Sequence, residues 1–325
     1  MVPLQHWHGL SQRAAPFSDG TPMISQWPIA PGEFFDYEVH PEAGDAGSYF
    51  YHSHVGFQAV TAYGPLVVEE EEGKEPPYEY DDEIDILISD YYRKLDEEVE
   101  GGLVANPFQW SGEPQAVLVN GRSGNASFTN ATDDSCKPAV IEVDPGKTYR
   151  LRFVGSTAIS FVLLGIEGHD DLKIIEADGK YTKPADADHV QLASGQRFSA
   201  LLTTKTQEEL DEEGRASYWI RYENRDRPTN VTGYALLRYR SSSYETDPGG
   251  EDLPADLPSV PPVTLSRDLA EYTRWLEYTL EPLEETETET FPTASEVTRT
   301  VHITLNQQVV DGYFNGSWVG KLLWV

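Results

Sequence analysis

The sequence predicts an all-β protein, with antiparallel strands arranged in sandwiches or barrels. Three observations carry the prediction. Apolar runs are short and are punctuated by Gly, Pro, Asp and Asn. Several of them alternate with period two. Helix signals are sparse. In chain order the strand-like runs are "GPLVVEE" (64–70), "EIDILISDYY" (83–92), "AVLVNGR" (116–122) and "AVIEVDPGKTYRLRFVG" (139–155). They continue with "SFVLLGIEG" (160–168), "LKIIEADG" (172–179), "HVQLASGQRFSALLTT" (189–204), "ASYWIRYE" (216–223) and "GYALLRY" (233–239). In "TYRLRFV", Tyr149, Leu151 and Phe153 face one way and Arg150 and Arg152 the other. Asp144-Pro145-Gly146 marks a turn. The one helix signal is "TQEELDEEG" (206–214), with Thr206 as N-cap and Gly214 just past the C-terminus.

At 325 residues the chain is long enough for two or three domains. Its 39% hydrophobic and 11% aromatic residues fit a globular protein. The net charge of −31 repels nucleic acid and anionic membranes, so neither is an expected partner. The plain reading of that charge is solubility. No stretch has the apolar length of a membrane helix. Cys136 is the single cysteine, so no disulfide framework forms within the chain. Four Asn-X-Ser/Thr sequons, at Asn125, Asn130, Asn230 and Asn315, point to a secreted or cell-wall protein carrying N-glycans. The first ten residues show no signal peptide, from which the expectation is that preceding sequence is missing.

Composition also marks boundaries. "EEEEGKEPPYEYDDE" (69–83) separates the histidine-bearing start from the next strands. "SSSYETDPGGEDLPADLPSVPP" (241–262) reads as an extended acidic Pro/Gly linker. A third acidic run, "LEPLEETETETFPTASE" (280–296), precedes the strand-like "TRTVHITLN".

The chemistry concentrates in "QHWHGL" and "YFYHSHVG". Residues i and i+2 of a strand share a face, so His6 and His8 present two imidazoles together, and so do His52 and His54. With 8 histidines in 325 residues, chance supplies about 0.2 His-X-His pairs, against the two present. Histidine-only coordination suits copper best and zinc next. No Glu stands at helical spacing between the histidines, and Cys136 has no Cys or His nearby in sequence, which disfavours protease-type and structural zinc. Trp7 points to the opposite face and is expected to pack in the core. His40, His169, His189 and His302 read as structural or surface residues.

"QHWHGL", "DGTPMISQWPIAPGEFFDYEV" and "AGSYFYHSHVGFQAVTAYGPLVVEE" resemble the first two copper-binding motifs of multicopper oxidases, a family of laccases, ascorbate oxidases and ferroxidases. "GKTYRLRFVGS", "FVLLGIEGHDDLKIIEADGKYTKP" and "VQLASGQRFSALLTT" resemble its middle domain. The wording is closest to fungal laccase-like members, including those of conidial pigment formation. The resemblance implies tandem cupredoxin-like Greek-key β-sandwiches: a partial first domain over 1–75, a complete second over 76–240, and the beginning of a third over 263–325. It implies that His6 binds a type 2 copper and that His8, His52 and His54 bind a type 3 pair. It also implies that Asp19, in "SDGTP", relays protons to the site where O2 becomes water; the alternative for Asp19 is an ordinary turn residue before Gly20. The implied substrate is a phenol or pigment precursor, with ascorbate or Fe²⁺ as variants.

The chain departs from the family in its remaining ligands. No His follows His302 and the only Cys is far upstream, so the His-X-X-His-X-His and His-Cys-His motifs are absent. The expectation is a chain truncated at both ends, without the type 1 copper site and with half of the trinuclear site, and inactive as an oxidase by itself. A copper-binding protein without oxidase activity is the competing reading.

Overall fold

The computed structural model describes residues 4–124, 138–224, 229–240, 276–284, 293 and 295–300, and the backbone of 308–310 and 313–315. Cys136, the sequons at Asn125 and Asn130, His302 and the 241–262 linker lie outside the described residues. The chain divides into two compact units, one of residues 1–93 with 113–283 and one of 94–112 with 284–325.

The first unit opens with β1 (Gln5–His8), β2 (Gly47–Ser53) and β3 (Tyr63–Val68), which form an antiparallel sheet in that order. The strands that follow are β4 (Asp82–Tyr91), β5 (Ala116–Val119), β6 (Val140–Val143), β7 (Thr148–Gly155), β8 (Val162–Ile166), β9 (Leu172–Ala177) and β10 (Lys180–Ala187). The series ends with β11 (Val190–Leu192), β12 (Arg197–Thr203), β13 (Ser217–Asn224) and β14 (Thr232–Tyr239). They make a six-stranded sheet, β10-β9-β12-β7-β4-β5, and a five-stranded sheet, β11-β8-β13-β14-β6. One buried cluster draws on both sheets: Ile86, Leu151 and Phe198 from the first meet Leu164, Ile220 and Leu237 from the second. Burying each such side chain contributes about 1.5–3 kcal/mol.

The all-β, sandwich-type expectation holds, with one difference. β4 pairs with β7, and β6 with β14, in parallel. Parallel neighbours need a long crossover, not a tight hairpin. Residues 92–147 supply it for the first pair, passing through β5 in one sheet and β6 in the other.

The alternation in β7 is as expected: Tyr149, Leu151 and Phe153 enter the sandwich core. The opposite face does not open to water. Arg150 and Arg152 are buried there, because β2 of the three-stranded sheet covers them. The Arg150 guanidinium donates to the fully buried Glu176 carboxylate at 2.7 Å. Glu176 also accepts from Ser48 N–H at 2.6 Å, from the Ser48 hydroxyl at 2.8 Å and from the Ser199 hydroxyl. Burial alone would raise the Glu176 pKa; the Arg150 charge and these donors outweigh burial and hold it low.

The predicted helix is present as α2 (Gln207–Glu213); α1 (Asp96–Leu103) precedes it in the chain and belongs to the second unit, with the antiparallel pair β15 (Gln308–Val310) and β16 (Tyr313–Asn315). Thr206 is the N-cap of α2. The Thr206 hydroxyl accepts from Glu209 N–H, and the Glu209 carboxylate accepts from Thr206 N–H at 2.7 Å. Gly214 ends the helix at φ 69° and donates to Leu210 O. Thr206→Ala removes this reciprocal cap and is expected to cost about 1 kcal/mol in chemical denaturation, whereas Thr206→Ser should cost little.

Candidate metal centre

β1 and β2 pair so that His6 stands opposite His52 and His8 opposite Phe50. Opposed residues of an antiparallel pair share a face, so three imidazoles and one phenyl ring crowd one side of the sheet. His6, His8 and His52 each offer a ring nitrogen, and the three lie within 4.8 Å of one another. Among the described residues this is the one such group. His54 lies just past the end of β2 and is exposed; its ring is 5.6 Å from those of His6 and His52. Of the four predicted ligands, then, three converge and the fourth stands at their margin. Trp7 takes the other face, half-buried against the rings of Tyr37 and Tyr51.

Carbonyl groups fix which nitrogen each ring can offer. The Asp19 carbonyl oxygen lies 2.6 Å from His6 Nδ1, and the Ser53 carbonyl oxygen 2.9 Å from His52 Nδ1. A carbonyl only accepts, so both Nδ1 atoms are assigned the proton and both Nε2 atoms keep the lone pair. His8 Nδ1 approaches His52 Nε2 at 3.3 Å. Two nitrogens bound to one ion at about 2.0 Å, at a tetrahedral angle, stand about that far apart. The donor set therefore fits an imidazole-binding cation.

Electrostatics favours the same state. Burial, then the Arg197 charge and the other imidazoles, push the His8 pKa down to about 3. Burial lowers His52 too, against the bond to Ser53 and with the help of His6 and His54. Rings neutral at pH 7 have lone pairs to give.

Asp19 lies beside His6. Its carboxylate is 3.5 Å from His6 Nδ1 and accepts from the Thr21 hydroxyl at 2.7 Å. His169 is a satisfied core residue: Glu167 O accepts from Nδ1–H, and Nε2 accepts from the Tyr239 hydroxyl at 2.6 Å. Burial lowers its pKa as well. His40 and His189 pair with Glu38 and Asp188.

These lowered values predict a pH effect on the metal-free chain. In the unfolded chain each imidazole takes a proton near pH 6.5, whereas folded His8, His52 and His169 stay neutral further down. The unfolded state therefore binds more protons below pH 6.5, and stability falls as pH falls from 6.5 towards 3. Melting curves between pH 7 and 5, above the range of the carboxylates, should show a falling Tm. His169→Gln should flatten the slope.

Three residues around His8 were not among the expected ones. Phe50 stacks on His8 with centroids 4.6 Å apart; its place two residues before His52 is a signal that strand spacing offered. Gly195 and Arg197 lie almost two hundred residues away and left no such signal. A Cβ on Gly195 would lie 2.7 Å from both Cε1 and Nε2 of His8.

Comparison with known proteins points to one family. Two family models described as multicopper oxidase match, one over residues 4–73 and one over 82–242. The multicopper oxidase aurL2 of Gibberella zeae is 56% identical over 98% of this chain and 51% of its own length. Laccase-like multicopper oxidase 1 of Thermothelomyces thermophilus is 43% identical over 98% of this chain and 52% of its own. The chain thus spans about half the length of these curated relatives. The crystal structure of Fet3p, described as a multicopper oxidase that functions in iron import, superposes with a TM-score of 0.71 at 21% identity, over 97% of this chain and 53% of that one, and shares the fold.

Proposed function

The chain belongs to the multicopper oxidase family, and from that premise we propose that His6, His8, His52 and His54 are copper ligands in a copper-dependent oxidoreductase of laccase type. The observation that carries this reading is the approach of His8 Nδ1 to His52 Nε2 at 3.3 Å, beside His6 on one face of the sheet. His6 takes the type 2 role, and His8, His52 and His54 the type 3 roles. Copper there supplies one-electron chemistry and a place for O2, whose reduction to water consumes four protons. The chain's own residues do the rest. The Asp19 and Ser53 carbonyls orient His6 and His52, and the Asp19 carboxylate, held by Thr21, passes protons towards the site. The donor is a phenol or a pigment precursor; ascorbate and Fe²⁺ are variants. The exposed Asn230 is the place to look for a glycan on a secreted form.

A second reading has support in the ligand inventory. With one cysteine and no His-Cys-His sequence, these 325 residues lack the cysteine–histidine set that suits a blue copper centre. By themselves they bind copper without oxidising a phenol. Calorimetric copper titration combined with an oxygen electrode tests both readings. The expected result is copper binding with no phenol-dependent oxygen uptake and no blue copper–thiolate absorption. Absence of binding would sink the ligand assignment, and turnover by this chain alone would sink the second reading.

A further inference from the structure

The imidazole of His8 is gripped from outside its own sheet. Its Cε1–Nε2 edge lies against Gly195, in the turn between β11 and β12, where no side chain fits. Gly195 sits at φ 87°, a conformation other residues rarely adopt. The turn itself is fastened: Gly195 N–H donates to Gly155 O at 2.7 Å, and Gly155 N–H donates to Gln196 O at 2.8 Å. Arg197 completes the grip. Its side chain is only 4% exposed. Nη1 donates to Gly195 O at 3.0 Å and to the Asp178 carboxylate at 3.1 Å. Nε donates to Ser48 O, on β2, at 3.0 Å. The guanidinium also lies over the Tyr49 ring and fills the space above Gly9, the residue after His8, where a Cβ would meet Cζ at 2.9 Å. One fork thus ties the turn to the strand that carries His52, while the turn closes the far edge of His8.

We propose that Gly195 and Arg197, from the eleven-stranded sandwich, are positioning residues for His8, wedging its Nε2 edge so that Nδ1 is turned towards His52. The inference rests on the assignment of His8 and His52 as copper ligands. It makes metal loading of the three-stranded sheet depend on a turn in the sandwich. Without the wedge the ring can rotate about its χ2 bond, and the nitrogen facing His52 is no longer fixed.

The test uses the full chain labelled with ¹⁵N-histidine, with His8 resonances identified as those lost in His8→Gln. In the metal-free state, Gly195→Ala, Arg197→Met and Arg197→Lys should each move the His8 ring-nitrogen shifts and leave those of His169 in place. Arg197→Lys, which keeps the charge but not the fork, should behave as Arg197→Met does. Competition titration with Cu²⁺ should show affinity about 10–100-fold lower in each variant. Unchanged His8 shifts in the variants would overturn the proposal; so would movement of His169 in step with His8, which would indicate a general loss of packing. If Gly195→Ala does not fold, the two Arg197 variants decide. If the wild-type chain binds no copper, the ligand assignment fails, while the metal-free shifts still decide whether these residues position His8.

Discussion

Glu176→Ala is expected to cost about 3–5 kcal/mol, the largest stability loss of any single change considered, because it strands buried charge. Glu176 is fully buried and holds Arg150, itself 1% exposed. Two further donors come from Ser48 on β2. Removing the carboxylate leaves the guanidinium without its counter-charge in a medium of low dielectric and orphans the Ser48 N–H. Urea denaturation should show the full loss. Glu176→Gln keeps an acceptor and should fall between wild type and Ala. The double change Glu176→Leu with Arg150→Met removes both charges and should recover much of the stability, as apolar replacements of buried pairs often do. A loss below about 1 kcal/mol in Glu176→Ala would mean that this pair does not clamp β2 to the sandwich.

His52→Ala is expected to lower copper affinity by 100-fold or more, and to do so without unfolding the chain. His52 is partly buried and contacts His8 and His6 through its ring; the next residue, Ser53, ends the strand, and its hydroxyl donates to the Gln58 side chain. Its loss removes one of the two nitrogens that stand 3.3 Å apart. By contrast, His54→Ala should weaken binding less in this chain, since the His54 ring is exposed at the margin of the cluster. Competition titration of the single variants would order the ligands. Equal affinities in His52→Ala and wild type would remove His52 from the site.

Much of this was legible in the sequence because the signals were local. Period two in "TYRLRFV" named the core face of β7, and the Thr206–Gly214 cap pattern named the ends of α2. The spacing of His6 with His8 gave a shared face for the same reason: a strand turns every second side chain to one side. Spacing also predicts His54 on the face of His52, but strand β2 ends at Ser53, so the alternation that would align the two stops one residue short.

The sequence by itself determined the all-β class, the histidine pairs and the helix caps, because each depends on residues within one turn or one strand of one another. The tertiary structure alone decided that β1 and β2 pair in the register placing His6 opposite His52. It alone placed Arg150 and Arg152 under β2 and not in water, and brought Gly195 and Arg197 against His8. The physical reason is sequence distance: burial of a charge or closure around a ring is settled by whatever element packs opposite, and no local periodicity encodes that partner.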